Sequence, residues 1–392
     1  MNRKKKTGSL LLALLFLVSC GTEETTGKKT VTEEMPITER TYHRDSYQNP
    51  LRFHKQDGSE YFVTCADPDV LKGEDGYFYL YCTNTYCEMG DKGMQYDRGP
   101  IFRSKNLIDW TWVASAFDGS PNALDWGDKD AGVWAPTIIK VGDHYCYYYS
   151  LSTWGDENPG IGVATSPTPY GPFKHHGKLL DSQMSGIRNS IDPVPYYDKD
   201  GKLYLIWGSF FGIGAVELTD DGTEVFYGQE NMKEHVTYLI QNTSGESMNI
   251  DVNYEGSYII EKDNHYYYMG SQGTCLSGTD STYRVKVGKS DSLFGPYYGT
   301  DGKAMDDMDG SFGDLVVAPS EEVAGTGHNS VVQDYNGDYY LIYHGYDKKG
   351  EYPTERTLFM DKLLWDENDM PYVENRCASL HVDRDGPLTI DF

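Results

Sequence analysis

Three acids, an indole and an imidazole recur in this chain at a spacing suited to chemistry. Asp67 (in ADPDV), Asp192 (SIDPV) and Glu255 (YEGSY) are flanked by small or apolar residues, with few other charges close by. Each lies nine residues before an acidic, Gly- or Asn-containing turn, at Gly76, Gly201 and Asn264 respectively. The same nine-residue offset from the turns at Asp143 and Gly337 lands on Trp134 and His328. Two carboxyl groups flanking a glycosidic bond can supply an acid for the leaving oxygen and a base for water. A third carboxylate close by raises the acid's pKa by like-charge repulsion and keeps it protonated near neutral pH. A single Asp in a turn is ordinarily a cap or a solvated charge, but three acids in equal register are harder to assign to structure alone.

Something must hold those residues in equivalent places. Each of the five turns runs into a Tyr-rich strand-forming stretch: FYLY, YCYYY, LYLIW, HYYYM and YYLIY. The chain carries 33 Tyr, and alternating Tyr suits half-buried strand surfaces. Five copies of one β-unit predict an all-β fold, a five-bladed β-propeller, in which the equivalent first-strand residues converge on the central channel. A second phrase recurs later in the units, ATS…GPF at 164–173 and GKS…GPY at 288–297, with Pro after Gly marking an exit from a strand. Successive turns are 67, 58, 63 and 73 residues apart, from 76 to 337. That is longer than a usual propeller repeat, so large connecting loops are expected to wall a cleft. No stretch has a helical period, and a β-sandwich fits the five-fold register less well. Trp207 reads as core.

The N-terminus reads differently. Arg3, Lys4, Lys5 and Lys6 precede a short apolar stretch from Leu10 to Val18, the pattern of a secretory leader over residues 1–20. Its LVSC ending resembles a bacterial lipobox, which implies a lipid on Cys20 and an exported lipoprotein at the outer membrane, on its surface or periplasmic side. Residues 21–50 are expected to be a polar tether, and 51–392 the catalytic propeller. The formal charge is −26, and removal of a leader with four cations and no acids takes it to −30. That excludes a nucleic-acid role and favours a neutral substrate. The remaining cysteines, Cys65, Cys82, Cys87, Cys146, Cys275 and Cys377, have no metal-motif spacing and read as buried free thiols. A monomer is expected, touching the membrane only through its lipid.

The phrases ADPDVLKGEDGYFYLY, GVWAPTIIK, SLSTWG, GIGVATSP, NSIDPVPYYDKDG, IWGSFFGI, YEGSYII, DSTYRVKVGKSDSLFGPY and GTGHNSVVQDYNGDYYLIYHGYD, from about residue 64 to 374, together resemble glycoside hydrolase family 43. Its endo-α-1,5-L-arabinanases are the most similar group. The resemblance implies a five-bladed propeller that hydrolyses with inversion, Asp67 matching the general base, Glu255 the general acid and Asp192 the residue that sets the acid's pKa and orientation. His328, in GHNS, matches a histidine facing a metal ion, Ca²⁺ or another cation, in the central channel. Calcium prefers oxygen ligands, so waters would have to complete that shell. Trp134, in the register of the acids, and Trp154, with Gly155 in STWG, are candidates for a sugar platform, and Asn189, Ser209 and Phe210 match segments lining the sugar next to the scissile bond.

Two departures stand out: Thr137 replaces an acidic residue usual after WAP, and NSID stands for NAID. The implied substrate is arabinan, a plant-type polysaccharide, cut internally. An exo-α-L-arabinofuranosidase or β-xylosidase would share the three acids. A non-catalytic glycan-binding propeller would have no need of a protonated one. Loops at Asp118–Asp130 and Gly273–Thr282 are long enough to close one side of a groove, which would favour exo action.

Overall fold

The computed structural model describes residues 41–117, 126–128, 130–245 and 247–390. The leader with Cys20, the tether up to residue 40, and residues 118–125 and 129 of the Asp118–Asp130 loop lie outside them. The predicted blades form in chain order. Blade 1 comprises Asp69–Lys72, Phe78–Tyr81, Pro100–Ser104 and Asp109–Ser115. Blade 2 is Gly132–Val141, His144–Ser152, Gly160–Ser166 and Lys174–Asp181. Blade 3 is Val194–Tyr197, Leu203–Trp207, Ile213–Glu217 and Thr237–Ile240. Blade 4 is Glu255–Lys262, His265–Gln272, Arg284–Ser290 and Asp314–Val317. Blade 5 is Val323–Gln333, Tyr339–Asp347, Thr357–Trp365 and Pro371–Val373. The first strand of each blade packs beside that of the next, and blade 5 returns to blade 1, so the ring closes.

Apolar side chains gather into five clusters, one at each junction between neighbouring blades. This explains the Tyr-rich second strands better than half-burial does. Tyr147 and Tyr149 face blade 1 while Cys146 and Tyr148, on the other side of the same strand, face blade 3. A strand covered on both sides has no solvent face to alternate with, and His144–Ser152 is buried almost throughout. Trp207 is fully buried and its indole N–H donates to Ser190 Oγ at 2.9 Å. All six cysteines after Cys20 are free thiols, four of them buried.

The tether is shorter than composition implies. Residues 42–47 form a strand, Tyr42–Tyr47, paired antiparallel with Arg384–Ile390. Its polar residues look solvated in sequence because they line the strand's outer side, while Tyr47 is buried and its hydroxyl donates to the Met360 carbonyl. Leu51 N–H donates to Leu358 O, and Arg52–His54 lies parallel to the outer strand of blade 1, fastening the two ends of the ring. Among the described residues, two single α-helical turns, Ser182–Ser185 and Met232–His235, also form, too short to leave a 3.6-residue period. The first is capped by Asp181, whose carboxylate accepts from Met184 N at 2.8 Å.

Candidate active site

Every first strand carries a kink close to the axis, either within it or two residues before its start. One residue in each blade takes left-handed backbone: Asp67 (φ 55°), Ala135 (φ 41°), Asp192 (φ 60°), Gly256 (φ 56°) and His328 (φ 51°). For a residue with a side chain this costs on the order of 1–3 kcal/mol, so the surroundings must enforce it. The residues that follow, Pro68, Pro136, Pro193, Ser257 and Asn329, line one narrow cavity.

Asp67, Asp192 and His328 are therefore equivalent, as the nine-residue offset predicts. Trp134 and Glu255 are not; each stands one residue before the equivalent position. The reason lies in the turns. Blades 1, 3 and 5 join their first two strands through residues 73–77, 198–202 and 334–338, whereas blades 2 and 4 use only 142–143 and 263–264. Counting back from turns of two kinds slips the register by one. Blade 4 cannot place a side chain at the kink itself, since a Cβ on Gly256 would lie 2.9 Å from His328 Cγ. The acid comes from the residue before.

The kinks are held by hydrogen bonds from blade to blade. Asp67 N–H donates to His344 Nδ1 (3.1 Å), Ala135 N–H to Thr83 Oγ1 (2.9 Å), Asp192 N–H to Ser150 Oγ (2.9 Å) and His328 N–H to Ser271 Oγ (2.9 Å). Each acceptor lies near the end of the preceding blade's second strand, Thr83 two residues past it. At that place blade 3 has Gly208, which offers no side chain, and the Gly256 N–H goes to Asp192 Oδ2 at 3.0 Å. The neighbouring Ser209 donates its hydroxyl to Glu255 Oε2 at 2.7 Å and accepts from Asn189 Nδ2 at 2.9 Å. One joint of five is thus given over to the acids. Thr83, Ser150, Ser271, His344 and Arg356 were not singled out in the sequence; the signal was a Ser, Thr or His closing a second strand in four units.

These contacts set different charge states. Burial would raise the Asp67 pKa, but His328 (Nδ1 to Oδ1, 3.1 Å) and Arg356 (Nη1 to Oδ1, 3.3 Å) hold it well below the usual carboxylate range. Thr83 Oγ1 donates to its other oxygen at 2.5 Å. Glu255 goes the other way: burial and then the Asp192 charge push it up to about 7, against the Ser209 hydrogen bond. Asp192 is raised to about 6, by burial first and by Asp67 after it. Burial works against protonated His328, yet Asp67, Asp192 and Glu255 raise it to about 9. His344, buried and beside Arg356, is held well below the ordinary histidine value; its Nδ1 accepts, so the proton sits on Nε2. The arrangement holds one carboxylate ionised and one carboxylic acid protonated at the same pH.

Below the acids the cavity is also lined by Asp69, Thr137, His328 and Ser330. Asp69 accepts from Ile138 N at 3.0 Å and is raised by burial to about 7. Thr137, where an acid was expected, donates to the Pro193 carbonyl at 2.8 Å and ties blade 2 to blade 3. Asn329 Oδ1 and Ser330 Oγ are buried without a partner. Oxygen donors of this kind beside His328 suit a hard cation with bound water. Among the described residues no three His, Cys, Asp or Glu side chains form a metal cluster.

On the rim, Trp134 is half-buried, and the absence of a side chain at Gly132 leaves room for its indole. Trp154 is 84% exposed, just past the second strand of blade 2, and Gly155 (φ 84°) turns the chain after it. Phe210, with φ 57°, is buried, its N–H bonded to Tyr254 O at 2.8 Å. The Gly273–Thr282 loop is pinned, Gly273 N–H to Ile250 O (2.8 Å) and Tyr283 N–H to Thr274 O (3.1 Å).

A closed five-bladed ring with an ionised carboxylate and a protonated carboxyl group near one axis is a propeller glycosidase. The sequence matches glycosyl hydrolases family 43 over residues 50–371, and the chain belongs to that family. It is 29% identical over 305 residues to the extracellular exo-α-(1→5)-L-arabinofuranosidase ArbA of Cellvibrio japonicus, covering 73% of this chain and 84% of that one. It is 32% identical over 292 residues to arabinan endo-1,5-α-L-arabinosidase A of Aspergillus niger, covering 72% and 82%. The solved Cellvibrio cellulosa α-L-arabinanase complexed with arabinohexaose superposes with a TM-score of 0.66 at 26% identity, over 80% of this chain and 96% of that one. An exo-1,5-α-L-arabinanase from a bovine ruminal metagenomic library gives 0.65 at 25%, over 80% and 98%.

Proposed function

We propose that this enzyme hydrolyses α-1,5-linked L-arabinan within the chain, with inversion. The observation that carries the mechanism is the split between Asp67, held ionised, and Glu255, raised to about 7. Asp67 takes a proton from water as the water oxygen bonds to the anomeric carbon. The glycosidic bond breaks as Glu255 gives its proton to the leaving oxygen. Asp192 keeps Glu255 protonated by its charge and, through the Gly256 N–H, fixes the backbone next to it. Solvent exchange then returns both groups to their starting states.

The names of the relatives support arabinan, and the strongly acidic chain favours a neutral polymer. Trp134 and Trp154 offer apolar surface for sugars; Gly155 turns the chain beside Trp154, and Phe210, expected as a sugar contact, is buried. Asn189 and Ser209, expected as sugar contacts, are engaged with the acid. A cation in the channel would be held through water by Asn329, Ser330 and Asp69, where its positive charge would support ionised Asp67; His328, expected as a ligand, could serve only in its neutral form, which a positive charge beside it would favour. Export as a lipoprotein through Cys20 follows from the leader pattern, and several relatives are described as extracellular.

Reducing-sugar release from linear arabinan, with a time-resolved product profile, tests the reading. Mixed oligosaccharides early in the reaction support internal cutting. Arabinose alone from the first time point would put the exo reading in its place, the one carried by the resemblance to ArbA. No release at all, with an intact fold, would remove the proposal.

A further inference from the structure

Blade 1 carries an extra two-stranded ribbon, Thr85–Glu88 paired with Met94–Asp97, between its second and third strands. Tyr86 and Tyr96 are directly opposed across the ribbon, with ring centroids 5.4 Å apart and edge to face. They are 65% and 45% exposed, and Met94, two residues along on the same side, is 48% exposed. The other side of the ribbon is used for packing: Cys87 is fully buried in the blade core. Two opposed tyrosines left in water on a short ribbon contribute nothing to the core.

The ribbon is rooted at the catalytic rim. Thr83, two residues before it, donates to Asp67, and Asn84 N–H donates to Val133 O, next to Trp134. Arg98, just after the ribbon, donates to the Ala131 carbonyl on the same segment. Asp97 accepts from Trp112 Nε1 (3.0 Å), Ser115 Oγ (2.5 Å) and Gly99 N (3.1 Å), which fixes the base. Because it leaves from the end of the second strand, the ribbon stands on the face where the acids lie, beside Trp134.

We propose that Tyr86 and Tyr96 form a distal sugar-binding wall that stacks on units of the glycan chain beyond those held at Trp134. The occupant is the neutral polysaccharide itself, so the inference rests on the arabinan reading and extends it to chain-length preference. An amphipathic ring presents an apolar face to a sugar's C–H groups at low entropic cost, and a rigid base means little is lost on binding. The ribbon that carries the aromatic pair is joined at its base to the site through Thr83 and Asn84, which makes the substrate chain the partner argued for.

The test compares kcat/KM on linear arabinan with that on arabinobiose, in wild type, Y86A/Y96A and Y86F/Y96F. The polymer-to-disaccharide ratio is expected to fall about ten-fold in the Ala pair and to stay near wild type in the Phe pair. Retardation of the same proteins in native gels containing linear arabinan should weaken in the Ala pair only. An unchanged ratio, an equal fall on both substrates, or a Phe pair as impaired as the Ala pair overturns the wall. A wild type that neither cleaves nor is retarded by arabinan overturns the substrate reading, and the wall with it. Cleavage without a change of ratio overturns the wall alone.

Discussion

Ser209 Oγ donates to Glu255 Oε2 at 2.7 Å, while Asn189 Nδ2 donates to the same hydroxyl at 2.9 Å. The serine's one proton is thereby directed at the acid, which leaves the other carboxyl oxygen, Oε1, to carry the transferable proton. The contact also opposes the burial that raises Glu255. Orientation and acidity are set by one residue, and they can be separated by experiment.

Ser209→Ala should lower kcat on arabinan by roughly ten-fold, the weight of one hydrogen bond to a carboxyl group. Losing a bond that favours the charged form also raises the Glu255 pKa, so the alkaline limb of the kcat/KM profile should move up. A pH series on the purified variant reads both. A fall in kcat with an unmoved limb would mean that Ser209 shapes the pocket without tuning the acid.

Asp192→Asn should move the same limb the other way. Asn keeps an acceptor for Gly256 N–H but removes the charge that helps hold Glu255 up, so the acid deprotonates at lower pH and activity falls earlier as pH rises. In wild type the alkaline limb is expected near pH 7, where Glu255 titrates, and the acid limb below the ordinary carboxylate range, where Asp67 does. An unshifted limb in D192N would exclude the electrostatic role.

The common offset in sequence located the fold and three of the five kink residues, because turn and kink are both local features of one repeated strand. It could not place Trp134 and Glu255 correctly, since hairpin length varies between blades and the count runs through the hairpin. Nor, His328 apart, were the partners of Asp67 legible. Arg356 and His344 lie far along the chain from it and reach it only because blade 5 closes onto blade 1. The strand Tyr42–Tyr47 was hidden for a similar reason: its polar residues make sense only beside Arg384–Ile390.

Arg356→Ala should destabilise the enzyme and disable it. Removing one partner of a buried ion pair leaves the other charge uncompensated, at a cost of about 3–5 kcal/mol, reduced here where His328 still faces Asp67. Because Asp67 is depressed in the folded state, its contribution to stability is present above the ordinary carboxylate pKa and lost as pH falls through the depressed one. The difference in thermal midpoint between wild type and R356A should therefore be large at pH 7 and shrink in strong acid. An equal difference at all pH values would show that only packing was lost.

Glu255→Gln should give an inactive but sturdier protein in mild alkali. The Glu255 pKa is raised above its unfolded value, so its favourable contribution is fully present below about 4.5 and is lost as pH rises through about 7. Above that pH the wild type carries a buried ionised acid next to Asp192, and the neutral amide does not. Differential scanning at pH 8.5 is expected to show E255Q higher by a few degrees, and at pH 4 the two should coincide. A lower midpoint for E255Q at pH 8.5 would mean that Glu255 is ionised and stabilising in the folded state, contrary to its assignment as the acid.

Glu255 and Asp67 should also differ in what rescues their loss. An acid is needed only where the leaving oxygen is basic, so Glu255→Ala should lose most activity on arabinan but far less on an aryl arabinofuranoside with a nitrophenolate leaving group. A base is needed whatever leaves, so Asp67→Ala should be impaired on both substrates alike. Direct displacement by water also fixes the stereochemistry: proton NMR of the first-formed product from wild type should show the anomer opposite to that of the substrate. It further requires the two carboxyl groups to stand roughly 6.5–9.5 Å apart in a complex with substrate, leaving space for that water. Retention at the anomeric carbon would instead make one of them a nucleophile, and the roles assigned to Asp67 and Glu255 would have to be withdrawn.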